Sequence, residues 1–451
     1  MPQRLPKDAN YIDLSNNIIE QLGELPFGNY PVLQVLNMSG NSIRLIGNDS
    51  FGNLKCITNL DLQSCNISYV EAGTFRNLTS LAYLDMSGNK YLTFKNLRNI
   101  LDGLQFTAIK TLKLNSIHTL HGPCITITEH QLEFLNKTNL TELHLDSNRI
   151  ATFEVKAVGY IPRTLEILSA KANIFMLDDY IYYIYFHWPV PKLQKLIISY
   201  QKQTHVFDMF YGWLKSRSRN DTSSEISGQT DNTYHDFDTN AQQFHVAAVA
   251  DRRSEDYKFS NLRVGIYLPT NLSYVDLSNS DFQQPVYLTN LVTPNNLTHL
   301  LMNNNVLWQL IGPLKGFDNL TFFDFSSNYC QNISHFALQH MTNLLHLNLS
   351  TNFLGFALEK DINGNTFQNQ RRLRNLDLTN NKIRELPTGI FDGLINLQIL
   401  NLSQNILLEF HVRFDHMKKL EYLSLRDNML ETIPKAVRDN FDRLAALTNL
   451  T

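Results

Sequence analysis

The sequence predicts an α/β-type leucine-rich-repeat solenoid, a horseshoe with a parallel inner sheet and an irregular convex side. Three observations predict it. An L-x-x-L-x-L-x-x-N-x-L pattern recurs along the 451 residues, its step stays near 24 residues, and a phenylalanine keeps one place opposite the strands. The length exceeds the ~100–200 residues of one compact domain, which also favours an array.

Fifteen units align, with their second apolar position at 12, 36, 60, 84, 112, 143, 168, 196, 275, 300, 323, 347, 376, 400 and 423. Each L-x-L segment reads as a short strand whose leucines enter the core while the residue between them faces solvent. Neighbouring repeats then pair their strands in parallel. Beyond the strand the backbone turns inward, and an interior Asn amide can bridge peptide groups that no ladder satisfies. That structural role is expected of Asn17, Asn41, Asn89, Asn148, Asn173, Asn305, Asn328, Asn352, Asn381, Asn405 and Asn428.

On the convex side Phe51, Phe75, Phe367, Phe391, Phe414 and Phe441 each stand six residues ahead of the next repeat's first apolar position, and should stack as a spine. The middle is less regular. Ile117, Gln201 and Ser280 occupy Asn positions, and losing the ladder there should change local twist. Cys65 also occupies one and Cys330 an apolar position; both read as small buried hydrophobes. Cys56 and Cys124 lie outside the interior positions and take no assigned partner.

One step of 79 residues hides an insertion, which divides the chain into repeats 1–8 over 1–200, a polar loop over 201–262, and repeats 9–15 with the start of another over 263–451. The loop is rich in Ser, Thr, Asn and Asp and is expected to be mobile, as a tolerated insertion or as a functional one. The repeat register runs to Thr451 with no cysteine-rich cap, the mark of a chain cut within a longer array. The start lacks the apolar stretch of a leader, so one is expected to have been removed or never included.

A net charge of −3 and no basic stripe give no nucleic-acid signature. No catalytic fingerprint, metal-ligand spacing or cofactor motif occurs, so no catalytic residue, metal or cofactor is expected. No apolar run approaches the ~18–20 residues that cross a bilayer. Fourteen N-x-[ST] sequons, at Asn37, Asn48, Asn66, Asn77, Asn136, Asn139, Asn220, Asn271, Asn296, Asn319, Asn332, Asn348, Asn401 and Asn449, favour the secretory pathway and N-linked glycans.

The inner face offers a binding surface. Its column between the strand leucines is acidic, with Asp13, Asp61, Asp85, Asp276, Asp324 and Asp377 against Lys113. That column would repel a polyanion. Ile197 and Leu301 break the polar rule on either side of the insertion, and with Tyr200 they are the candidate contact residues, for a ligand or for the insertion's own ordered base.

The opening Leu5-Pro6-Lys7-Asp8-Ala9-Asn10-Tyr11-Ile12-Asp13-Leu14-Ser15-Asn16-Asn17, the LxxLxLSxN strands, the convex phenylalanines, the irregular middle and the dense sequons together resemble a Toll-like receptor ectodomain. The resemblance implies an innate immune pattern-recognition receptor that binds a microbial product of unspecified class, forms homo- or heterodimers, and signals through parts not present in this chain. It also implies the outer or lumenal part of a single-pass membrane protein, at the cell surface rather than in endosomes. The family's endosomal nucleic-acid sensors carry their insertion after about the fourteenth repeat, whereas this one follows the eighth, so their ligand class is not carried over. The alternative is an extracellular adhesion protein or secreted scaffold.

Overall fold

The computed structural model describes the chain except for residues 1–6, 23–26, 28–29, 53, 119–123, 155, 176–189, 202–267, 283–285, 287–288 and 442–443. Residues 1–203 and 266–451 form one unit. Most of the insertion, with its sequon at Asn220, lies outside the described residues.

Sixteen strands form one parallel sheet in chain order. They are β1 (Tyr11–Asp13), β2 (Val35–Asn37), β3 (Asn59–Asp61), β4 (Tyr83–Asp85), β5 (Thr111–Lys113), β6 (Glu142–His144), β7 (Ile167–Ser169) and β8 (Lys195–Ile197). After the insertion come β9 (Tyr274–Asp276), β10 (His299–Leu301), β11 (Phe322–Asp324), β12 (His346–Asn348), β13 (Asn375–Asp377), β14 (Ile399–Asn401), β15 (Tyr422–Ser424) and β16 (Asn449–Leu450). The register follows the leucines. Ile12 pairs with Leu36, Leu36 with Leu60, and so on to Leu400 with Leu423. Across the 79-residue step Leu196 pairs directly with Val275, so the sheet is continuous there.

The central residue of each strand from β1 to β15 enters a core that runs through the repeats, whereas Leu450 of the two-residue β16 is exposed. Opposite the strands, Phe27, Phe51 and Phe75 stack at 6.4 and 6.0 Å, and Phe367–Phe391 and Phe414–Phe441 meet at 5.9 and 5.8 Å. Longer repeats spend their extra residues on this side. The 28-residue step from 84 to 112 holds helix α1 (Leu97–Leu104), whose Leu97, Ile100, Leu101 and Leu104 share the buried stripe of a helix packed on the core. The step from 347 to 376 holds the shorter α2 (Gly355–Glu359).

The Asn positions form a bridge between coils. Nδ2 of Asn89 donates to Leu62 O (2.9 Å) in the preceding repeat and to Met86 O (2.7 Å) in its own, while Oδ1 accepts from the N–H groups of Cys65 (2.9 Å) and Ile67 (3.0 Å). Asn41, Asn148, Asn173, Asn305, Asn328, Asn352, Asn381 and Asn405 are buried and reach the preceding repeat in the same way. Asn428 does so half-buried. Asn17 is exposed, and its bonds among the described residues stay within its own turn, to Leu14 O and Ser15 O.

The irregular positions keep most of this ladder, contrary to the expectation that it lapses. Gln201, read from the sequence as the start of the insertion, is buried in repeat 8: its Nε2 donates to Ala170 O (2.9 Å) and its Oε1 accepts from Phe175 N–H (3.1 Å). One extra methylene still lets an amide span neighbouring coils. Ser280 Oγ lies 2.9 Å from Ser278 O. Cys65, expected to be merely apolar, has its Sγ 3.0 Å from Met38 O. Only Ile117 brings no polar side chain, and there Asn148 compensates, donating to Leu114 O (2.7 Å) and accepting from Ile117 N–H (2.8 Å).

Candidate functional site

In an x-L-x strand both residues beside the central leucine point to the open face of the sheet. The column after the leucine is the one whose chemistry the sequence singled out. Ile197, Asp276 and Leu301 are paired partners on β8, β9 and β10, so the structure brings the two apolar residues to either side of one carboxylate. Ile197 and Leu301 are half-buried. Tyr200 does not join them. It occupies the turn beyond β8 at φ +61°, the left-handed place that Gly40 and Gly88 fill in other repeats.

The acidic column has a structural task. Asp276 Oδ1 accepts from Ser278 N–H (3.0 Å) and Oγ (2.7 Å), Asp324 Oδ1 from Ser326 N–H (3.0 Å) and Oγ (2.7 Å), and Asp377 Oδ1 from Thr379 N–H (2.8 Å). Asn37, Asn348 and Asn401 hold the same turn with an amide oxygen. The D-x-S filling therefore closes the turn leaving the strand. Asp85 and Asp276, expected in solvent, are buried.

The other column, before the leucine, carries the feature that sequence reading missed. Tyr274, His299, Phe322 and His346 stand on β9 to β12, with successive ring centroids 6.1, 5.6 and 6.0 Å apart and His299 stacked on Phe322. Their steps of 25, 23 and 24 residues are visible in the sequence. The signal was lost because only the residue between the two strand leucines was counted as facing out. Burial, with Arg374 and His299 nearby, holds the His346 imidazole below its usual value. Burial beside Asp276 raises the Tyr274 phenol.

Two residues beyond Ile197 and Leu301, Ser199 Oγ and Asn303 Oδ1 are buried without a hydrogen-bond partner. Gln370 Oε1, away from this strip, is in the same state, so the feature is not particular to the open face. Toward β1 the open face is different in kind: Tyr83 Oη donates to Asp85 (3.2 Å), and the Lys113 ammonium lies 5.2 Å from the Tyr83 ring. Burial raises Asp61 above the usual carboxylate value, with Asp85 and Asp13 adding to it.

Of the sequons, Asn48, Asn66, Asn77, Asn136, Asn139, Asn271, Asn296, Asn319, Asn332 and Asn449 are exposed, and Asn37, Asn348 and Asn401 are half-buried on the open face. Cys56 and Cys124 are exposed free thiols. Burial pushes the thiols of Cys65 and Cys330 up to about 11 and about 12. Among the described residues no group of three or more His, Cys, Asp or Glu could hold a metal ion, and no helix is long and apolar enough to cross a membrane.

The leucine rich repeat family model matches residues 9–67 and 371–430. The chain is 31% identical to Toll-like receptor 4 of Pinctada imbricata over 378 residues, which cover 81% of this chain and 42% of that protein. Podocan of Mus musculus is 32% identical over 185 residues, 40% of this chain and 28% of podocan. The chain thus spans less than half the length of these relatives. A leucine-rich-repeat protein of Leptospira interrogans shares the fold, with a TM-score of 0.54 at 18% identity, over 98% of this chain and 96% of that one. Repeat register, ladder and sequence similarity agree: the chain is a leucine-rich-repeat protein related to the Toll-like receptors along most of its length.

Proposed function

We propose that the chain is the extracellular ligand-binding part of a Toll-like pattern-recognition receptor, which takes a microbial product on the open face of β8 to β12 and dimerises to signal. The ring column of Tyr274, His299, Phe322 and His346 beside Ile197 and Leu301 carries this reading. It sets four rings on adjacent strands of the open face, and such aromatic clusters mark contact sites. Similarity to a Toll-like receptor over 81% of the chain supports the receptor class.

Dimerisation is assigned to a flank. Tyr329, Phe353 and Phe356 are 58%, 42% and 66% exposed just beyond β11 and β12, and the first two rings meet at 6.2 Å. Aromatics of this kind are the usual anchors of protein interfaces.

The test is a panel of microbial lipids, proteins and nucleic acids bound to the secreted chain and to Phe322→Ala, with both chains also fused to a signalling reporter. A ligand that binds and activates the parent but not the variant supports the reading. Equal binding by an equally folded variant rejects the site. The podocan similarity favours a matrix scaffold as the second reading, and ligand-independent behaviour of the reporter with retained binding to matrix proteins would select it.

A further inference from the structure

We infer that the strip on β9 to β12 recognises an extended peptide segment carrying arginine side chains. The inference rests on the reading of the open face as the ligand site and names the chemistry that this site takes.

Two features call for the same kind of group. The rings of Tyr274, His299, Phe322 and His346 form an aromatic row, and a guanidinium packs well against aromatic rings. Beside that row run the half-buried carboxylates of Asp324 and Asp377 and the buried one of Asp276. Each spends Oδ1 on its own turn, and none of the hydrogen bonds among the described residues uses its Oδ2. Rings and carboxylates together suit a planar cation that only donates hydrogen bonds, and guanidinium is that group.

The spacing favours a peptide over a small cation. The ring centroids repeat at 5.6 to 6.1 Å. In an extended chain, side chains i and i+2 lie on one side about 6.6 Å apart. A strand crossing the sheet over this strip therefore offers successive alternate side chains to successive rings. A polyanion is disfavoured by the same carboxylates.

The fold itself supplies a charge-removing substitution, tested in chain made without N-glycosylation because the changes at Asp324 and Asp377 each create an N-x-[ST] sequon. Because Asn37, Asn348 and Asn401 close the same turn that Asp324 and Asp377 close, Asp→Asn removes charge while keeping the Oδ1 acceptor. Calorimetric titration of the whole chain with a synthetic peptide of alternating Arg and Ser, against a Glu–Ser peptide of equal length, is the experiment. The Arg peptide should bind at moderate salt and the Glu peptide should not. Asp324→Asn with Asp377→Asn should weaken binding about ten-fold, Phe322→Ala similarly, and Asp61→Asn on distant β3 negligibly. Equal binding of the two peptides overturns the inference, and so does Arg-peptide binding indifferent to the Asp324/Asp377 pair. If a panel ligand is lost in Phe322→Ala but kept by the Asp→Asn pair, the open-face reading stands and the arginine chemistry falls.

Discussion

At the scale of single residues the ladder amides are the sensitive points. Asn381 donates to Leu349 O (2.9 Å) and Leu378 O (3.1 Å) and accepts from Leu354 N–H (3.2 Å), all buried. Asn381→Ala should destabilise by at least about 1–3 kcal/mol, read by chemical denaturation, because backbone groups of two coils lose their partner together. An exposed Asn such as Asn369 should cost far less, and equal losses would remove the ladder's assigned role. Tyr200 makes the opposite prediction. At φ +61° a non-glycine side chain is held where left-handed backbone costs roughly 1–2 kcal/mol, so Tyr200→Gly should raise the melting temperature. Thiol chemistry separates the cysteines. Cys56 and Cys124 should alkylate in the native chain, whereas Cys65 and Cys330, buried with thiols pushed up to about 11 and about 12, should label only on unfolding.

At the scale of the element, the strip on β9 to β12 owes its properties to neighbours in space. His346 is held below the usual imidazole value, first by burial, then by the charges of Arg374 and His299. A base whose folded value is depressed takes up its proton first in the unfolded chain. Its contribution to stability is therefore complete above the unfolded value of 6.5 and is lost as pH falls from there toward the lowered folded value. His346→Gln should flatten the pH dependence of unfolding across this window. An unchanged slope would place the titration elsewhere.

At the scale of the molecule, glycans should report which surfaces are open. In chain secreted from eukaryotic cells, mass spectrometry should find sugar at several of the exposed sites, among them Asn48, Asn77, Asn136 and Asn332, and little at Asn37, Asn348 and Asn401. The last three are half-buried on the open face, with the amide oxygen engaged by the residue two places on, at 3.0 Å for Asn37 and Asn348 and 3.2 Å for Asn401. High occupancy at Asn348 would stand a glycan beside His346 and close the strip to a large ligand. No occupied site at all would count against an extracellular chain.

The leucines at fixed spacing by themselves determined the strand register, because a period-2 strand has only one way to put Leu36, Leu60 and Leu84 inside together. The buried Asn bridges were legible for the same reason, since an amide at a fixed offset from a strand meets the same peptide groups in each coil. What the tertiary structure decided is what depends on neighbouring coils. Gln201 enters the ladder because Ala170 O lies within its longer reach, although its sequence neighbours are those of the insertion. The Asp column is part of the turns and not merely a solvated face. Ile197 and Leu301 become one site only because β8 pairs with β9 across 79 residues of chain, while Tyr200, next to Ile197 in sequence, is carried off by a left-handed turn. The ring row follows the same logic: four residues separated by 23 to 25 positions acquire a common surface only when the sheet sets them about 6 Å apart.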